Sequence, residues 1–170
     1  MEFKYNDGGR AEAGYKGKSG DCVVRAIAIA TENSYREVYD SINMLAQREK
    51  TTLRKKYKSS ARDGVFKRTY HNYLASLGWK WQPCMTIGSG CKVHLKDGEL
   101  PQGRLIVRVS KHLTAVIDGI IHDTHDPQRS TMIVENGITR FAGRCVYGYW
   151  INDEASKITP LSAGANALPQ

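Results

Sequence analysis

Cys22 heads an apolar run, Asp21-Cys22-Val23-Val24-Arg25-Ala26-Ile27-Ala28-Ile29-Ala30. Far along the chain, Lys111-His112-Leu113-Thr114-Ala115-Val116-Ile117-Asp118-Gly119 opens a strand and turn leading to Asp123. A thiol attacks carbonyl carbon as the thiolate, and a helix start favours that form because its free N–H groups and dipole stabilise negative charge. An imidazole supplies the base, and a third group must fix its tautomer and orientation. Cys22, His112 and Asp123 therefore make a candidate nucleophile, base and orienter for acyl chemistry.

The orienter depends on one turn. Asp118-Gly119 is a strong two-residue hairpin signal, which pairs Ile117 with Ile120 and sets His112 opposite His125, with Asp123 as diagonal neighbour on the same face. His122 and Thr124 then point away. A three-residue loop would shift the register and bring His122 and Asp126 in place of Asp123.

These residues need elements to hold them. Polar, Gly-rich residues 1–20 read as an irregular arm ending at Cys22. A helix follows from about Cys22 to Thr31, apolar on every side but Arg25, as expected of one buried inside a domain. Ser34 and Glu37 form a capping box, and Tyr35, Val38, Tyr39, Ile42, Leu45 and Ala46 continue at helical spacing to about Gln47. Phe66, Tyr70, Leu74 and Leu77 give a third helical stripe, which stops at Gly78. Beyond it lie short β-branched or aromatic segments: Trp79–Trp81, Lys92–Leu95, Leu105–Val109, Leu113–Ile117, Ile120–Thr124, Thr131–Val134 and Val146–Trp150. Helices followed by strands predict an α+β fold, with the helices packed on a C-terminal antiparallel β-sheet. One domain spans 1–152, and 153–170 reads as a flexible tail.

Composition bounds the function classes. The 170 residues are 41% hydrophobic and 25% charged, with net charge +8. No apolar run approaches a bilayer span, and Met1–Tyr5 lacks a signal-peptide core, so a cytoplasmic protein without membrane contact is expected. Cys22, Cys84, Cys91 and Cys145 form no CxxC pair. In a reducing compartment they read as free thiols, and their spacing does not suggest zinc. Nine of the cations lie between Arg48 and Arg68, a segment read as a solvated, mobile connector, with a basic groove for an acidic or nucleic-acid partner as the alternative. His71, His94, His122 and His125 read as structural or solvent-facing. Gly17-Lys18-Ser19 lacks the first glycine of a phosphate-binding loop, where Glu12 stands.

The Asp21–Ala28 and His112–Val116 segments, in the order Cys, His, Asp, resemble the two signature segments of the papain-like cysteine peptidase superfamily. The nearest likeness is to its compact bacterial and phage members and leader-processing peptidases. This resemblance implies a papain-like core, no cofactor, and a thiol hydrolase acting on a peptide or isopeptide bond of a protein or peptide substrate through Cys22, His112 and Asp123. It departs from the family where a Gln usually precedes the Cys by six residues, because Lys16 stands there. The Cys22 N–H is one oxyanion donor, and Lys16, Ser19 or Asn6 is a candidate for the second. Two alternatives remain open: an acyltransferase or cell-wall amidase on the same scaffold, and a catalytically weak binding module with a basic face.

Overall fold

The computed structural model describes residues 1–53, 56–128, 131–135 and 138–152, the strands within 131–142 by backbone alone. The expected tail, 153–170, lies outside the described residues. The elements run β1 (Glu2–Tyr5), α1 (Cys22–Thr31), α2 (Tyr35–Gln47), α3 (Lys67–Ser76), β2 (Lys80–Pro83), β3 (Arg104–Val109), β4 (His112–Ile117), β5 (Ile120–Asp123), β6 (Thr131–Glu135), β7 (Ile138–Ala142) and β8 (Val146–Ile151). Six strands form one sheet in the order β1-β5-β4-β3-β8-β2, while β6 and β7 pair separately. The fold is mixed α+β, with three helices among the described residues.

Helix α1 forms the centre because its sequence is apolar all round. Val24, Ile27 and Ala30 are fully buried between the sheet and the other helices, and burying each large aliphatic side chain stabilises by about 1.5–3 kcal/mol. Its C-terminal carbonyls are closed from the sheet. Arg104 of β3 donates from Nε to Ala30 O at 2.8 Å and from Nη2 to Ile29 O at 2.6 Å, and its guanidinium pairs with Glu32. A cation at that end also opposes the negative pole of the helix. Helix α2 begins at the expected capping box, Ser34 Oγ accepting from Glu37 N while the Glu37 carboxylate accepts from Ser34 N.

The sheet divides the core. Ile106, Leu113, Ala115 and Trp150 face the helices. Leu105, Val107, Val109, Val116 and Ile121 pack on the other face, covered in part by Val93, Leu95 and Leu100 from the long β2–β3 connection.

Several expectations are corrected. The sheet is not wholly antiparallel, because β1 lies parallel to β5, within what read as an irregular arm. Four residues with one inward side chain, Phe3, carry too little alternation to announce a strand, and β1 is stable because it completes the open edge of β5. Lys92–Leu95 contributes only an isolated bridge between His94 and Cys145. Strand β7 was not anticipated.

Cys91 and Cys145 are joined in a disulfide, Cα to Cα 5.8 Å, leaving Cys22 and Cys84 free. The β2–β3 connection brings the two together across the outer face, a juxtaposition that spacing along the chain does not reveal. The expectation of four free thiols is therefore corrected for Cys91 and Cys145. Among the described residues no helix is long and apolar enough to cross a membrane.

Strand β8 carries a glycine that the packing requires. Gly148 has φ +154°, and a Cβ there would lie 2.4 Å from Trp81 Cζ2 and 2.6 Å from Gln82 O. The Trp81 ring packs against Trp150 with 4.2 Å between centroids. Gly148→Ala is expected to lower stability by about 1–3 kcal/mol by overpacking, read as a lower denaturant midpoint at unchanged slope. A midpoint equal to wild type would show that β2 yields without cost.

Candidate functional site

The Asp118-Gly119 turn is a two-residue loop with both residues left-handed, φ 48° and 81°, as a type I′ hairpin requires. Strands β4 and β5 pair Ile117 with Ile120, Val116 with Ile121 and Ala115 with His122. Continued along the strands, this register sets Asp123 across from Thr114 and diagonal to His112. His112 Nε2 lies 2.7 Å from Asp123 Oδ2. Parallel pairing of β1 braces the carboxylate's strand, with Asn6 N donating to Asp123 O at 2.8 Å. Thr124 N donates to Asp123 Oδ1 at 2.7 Å.

The other face of the ring meets the thiol. Cys22 and His112 line the same cleft and lie close enough for each to shift the other's titration; Asp123 takes Nε2, which leaves Nδ1 to serve the sulfur. Burial opposes charge on all three groups, yet contacts outweigh it for each. For Cys22, the His112 hydrogen bond, the Leu113 N–H and the nearby charges of His112 and Arg25 hold the thiol below its ordinary 9.0. For His112, the hydrogen bonds and negative charges of Asp123 and Cys22 push the imidazole up to about 9. Burial raises Asp123 too, but the His112 hydrogen bond and charge bring it below the usual carboxylate range. The three contacts therefore favour the thiolate, imidazolium and carboxylate over their neutral forms.

What positions Cys22 is a buried carboxylate one residue before it. Asp21 occupies the N-cap of α1 but makes no capping hydrogen bond. It is fully buried, with Tyr35 Oη donating to Oδ2 at 2.5 Å, Arg10 Nε 2.9 Å from Oδ2 and Arg25 Nη1 3.4 Å from Oδ1. Arg10 also donates to the carbonyls of Tyr15, Lys16 and Gly17. Loop, α1 and α2 are thus fastened at one point, and the first-turn N–H groups of α1 are left without a side-chain cap beside the thiol.

Cys22 and His112 open onto a cleft of about 620 Å³ between the 19–25 and 63–67 segments and the β3–β4 hairpin. One wall comes from residues 63–67 of the basic segment, whose later part is not the solvated connector expected, while residues 51–53 and 56–58 are exposed and irregular. The Glu49 carboxylate accepts from Ser59 N, Ser59 Oγ and Thr69 Oγ1, and Asn43 Oδ1 accepts from Ala61 N. Gly20 N donates to Arg62 O at 2.7 Å, seating this segment on the loop before Cys22. Its fold rests on small polar residues, whose role the charge run conceals.

Of the proposed oxyanion donors, Ser19 borders the cleft. Lys16 does not. It is exposed, and its carbonyl is bound by Arg10 Nη2. Asn6 lies elsewhere, its Oδ1 accepting from Gly8 N and its amide beside His122 Nδ1 at 3.4 Å. His122 pairs with Ala115 and so lies on the other face of the hairpin from His112, and Asp126 is exposed and bonded to Gln128. His71 is packed among Tyr70, Trp81 and Trp150, and His94 is bonded to Glu99.

Sequence reasoning missed His125. Its side chain is 60% exposed, yet it borders the cleft, its ring 4.9 Å from that of His112 and its Nδ1 3.9 Å from Asp123 Oδ1. The hairpin register, which sets it opposite His112, was the available signal. His112, Asp123 and His125 bring ligand atoms within 4.8 Å of one another, the group best placed to hold a cation among the described residues. No protein-family model, curated protein or solved structure matches the chain.

Proposed function

We propose that the protein is a cysteine peptidase-like thiol hydrolase acting on a peptide or isopeptide bond, with a papain-like catalytic arrangement. The observation that carries this reading is the placement of His112, its Nε2 2.7 Å from the Asp123 carboxylate, beside Cys22 on the wall of one open cleft.

The Cys22 thiolate attacks the carbonyl carbon, and the carbonyl π electrons move to oxygen. The first-turn N–H of Cys22 and a donor such as Ser19 meet the resulting oxyanion. Protonated His112 gives its proton to the leaving nitrogen, the C–N bond breaks, and the acyl group remains on sulfur as a thioester. Neutral His112 then takes a proton from water as the water oxygen attacks the thioester, and collapse releases the acid and restores the thiolate with its imidazolium. Asp123 keeps one ring tautomer throughout and stabilises the charged ring. Free thiols near pKa 8.5 are only about 3% ionised at pH 7, so lowering the Cys22 thiol enlarges the reactive fraction.

Iodoacetamide labelling of Cys22 against pH tests the pairing without a known substrate. The labelling rate is expected to reach half its plateau at a lower pH than that of a free cysteine, and hydrolysis to fall again above about pH 9, as His112 loses the proton it must donate. His112→Ala removes the largest lowering contact and leaves burial with only Leu113 and Arg25 to oppose it, so its labelling midpoint should move upward. A wild-type midpoint at or above an ordinary thiol's would refute the pairing. If instead EDTA abolishes hydrolysis that survives Cys22→Ala, the His112, Asp123 and His125 group works as a metal site.

A further inference from the structure

The cleft around Cys22 holds more positive charge than acyl chemistry needs. Arg25, Lys67, Arg108 and Lys111 border it, against a single carboxylate, Asp63. Asp63 accepts a hydrogen bond from Ser60 within its own turn. Arg25 shares Asp21 with Arg10, two guanidiniums on one carboxylate, so one positive charge is left uncompensated. Lys67 stands 5.8 Å from the Trp81 ring centre and Arg108 5.3 Å from that of Tyr147. These aromatic contacts hold the two side chains in place without neutralising them. Among the described residues, Lys67, Arg108 and Lys111 form no ion pair.

The placement of these cations is informative. Lys67 begins α3 and Arg108 lies near the end of β3, yet both act on one group. His71 is brought down to about 4, first by burial and then by the charges of Lys67 and Arg108. Both also border the cleft itself, Lys67 together with Tyr70 from α3 and Arg108 from β3. Lys111 immediately precedes His112 with φ 56°, a backbone conformation that glycine or asparagine adopts at lower cost. Local preference alone would not put lysine there.

We propose that the cleft selects acidic peptides, with Lys67 and Arg108 forming a subsite for a Glu or Asp side chain beside the scissile bond and Lys111 adding to the field. The inference rests on the thiol-hydrolase reading, since it assumes a peptide lies across Cys22. A peptide is favoured over nucleic acid because the cations surround a group that attacks acyl carbon, which a phosphodiester does not offer.

The test uses tripeptidyl chloromethyl ketones carrying Glu, Gln or Lys at either of the two residues before the reactive carbon. The thiolate displaces chloride from these probes and forms a thioether, followed by mass spectrometry at Cys22. At low salt the Glu probe is expected to react about tenfold faster than Gln, and Gln about tenfold faster than Lys, from the Coulomb interaction at a few ångströms near a protein surface. The differences should shrink toward unity in 1 M salt, where the screening length falls to about 3 Å. The Lys67→Glu, Arg108→Glu double variant should reverse the order, and the wild-type salt dependence decides the matter if that variant does not fold. Equal rates for all three probes, with fast iodoacetamide labelling, would overturn acid selection and leave the thiol-hydrolase reading standing. Slow reaction with every probe and with iodoacetamide would remove both. Stronger protection of Cys22 by a single-stranded oligonucleotide than by a Glu-rich peptide would overturn the proposal in favour of nucleic acid.

Discussion

Cys22→Ala, His112→Ala and the double substitution are each expected to reduce peptide hydrolysis by on the order of 10⁴-fold or more, to the same floor. The equality is the telling part. Without the ring, the buried thiol loses the hydrogen bond and positive charge that keep it ionised. Without the sulfur, the ring has no nucleophile to serve. Groups that act as one unit cannot lose activity independently, so the two losses should not add. The comparison requires the variants to fold: Cys22 is a small, half-buried side chain at a helix start, whereas His112→Ala leaves the buried Asp123 carboxylate without its partner, so a thermal melt of each variant precedes the comparison. Hydrolysis by His112→Ala within tenfold of wild type would remove His112 from the chemistry. Asp123→Ala should cost less than either, because the thiol and ring would still share a proton without their orienter.

Asp21→Asn is expected to produce the largest loss of stability from a near-isosteric change, about 3–5 kcal/mol. The substitution keeps the shape but leaves the Arg10 and Arg25 guanidiniums, which lie 2.9 and 3.4 Å from the carboxylate, without a counter-charge in a buried setting. For a chain of this length the melting temperature should fall by about 10 °C or more. Tyr35→Phe removes one hydrogen bond to the same carboxylate, leaving the ion cluster intact, and should cost about 1.5–3 kcal/mol. Thermal melts of both variants, with Cys22 labelling rates measured well below the transition, would test the wider claim. Since Asp21 fastens the loop and α2 next to Cys22, the surviving folded Asp21→Asn protein should also label more slowly than wild type at neutral pH. A melting temperature within 2 °C of wild type would show that the arginines find solvent and that Asp21 is not the fastening point.

Much of this arrangement was legible in the residues themselves. The apolar surround of Val23–Ala30 dictated a buried helix, Ser34 with Glu37 dictated where the next begins, and Asp118-Gly119 dictated a two-residue turn. These are local signals, each carried by backbone preference or by periodicity within a few residues. The hairpin register then followed, and with it the placement of Asp123, and not His122 or Asp126, beside His112. Tertiary structure alone decided what depends on contacts between distant segments. It brought β1 onto the edge of β5, joined Cys91 to Cys145, and folded the 59–66 segment into a cleft wall. It also turned Asp21 away from capping its helix and into an ion cluster with Arg10, Arg25 and Tyr35. No local pattern encodes such pairings, because their free energy comes from burial and charge compensation that exist only once the chain has closed on itself.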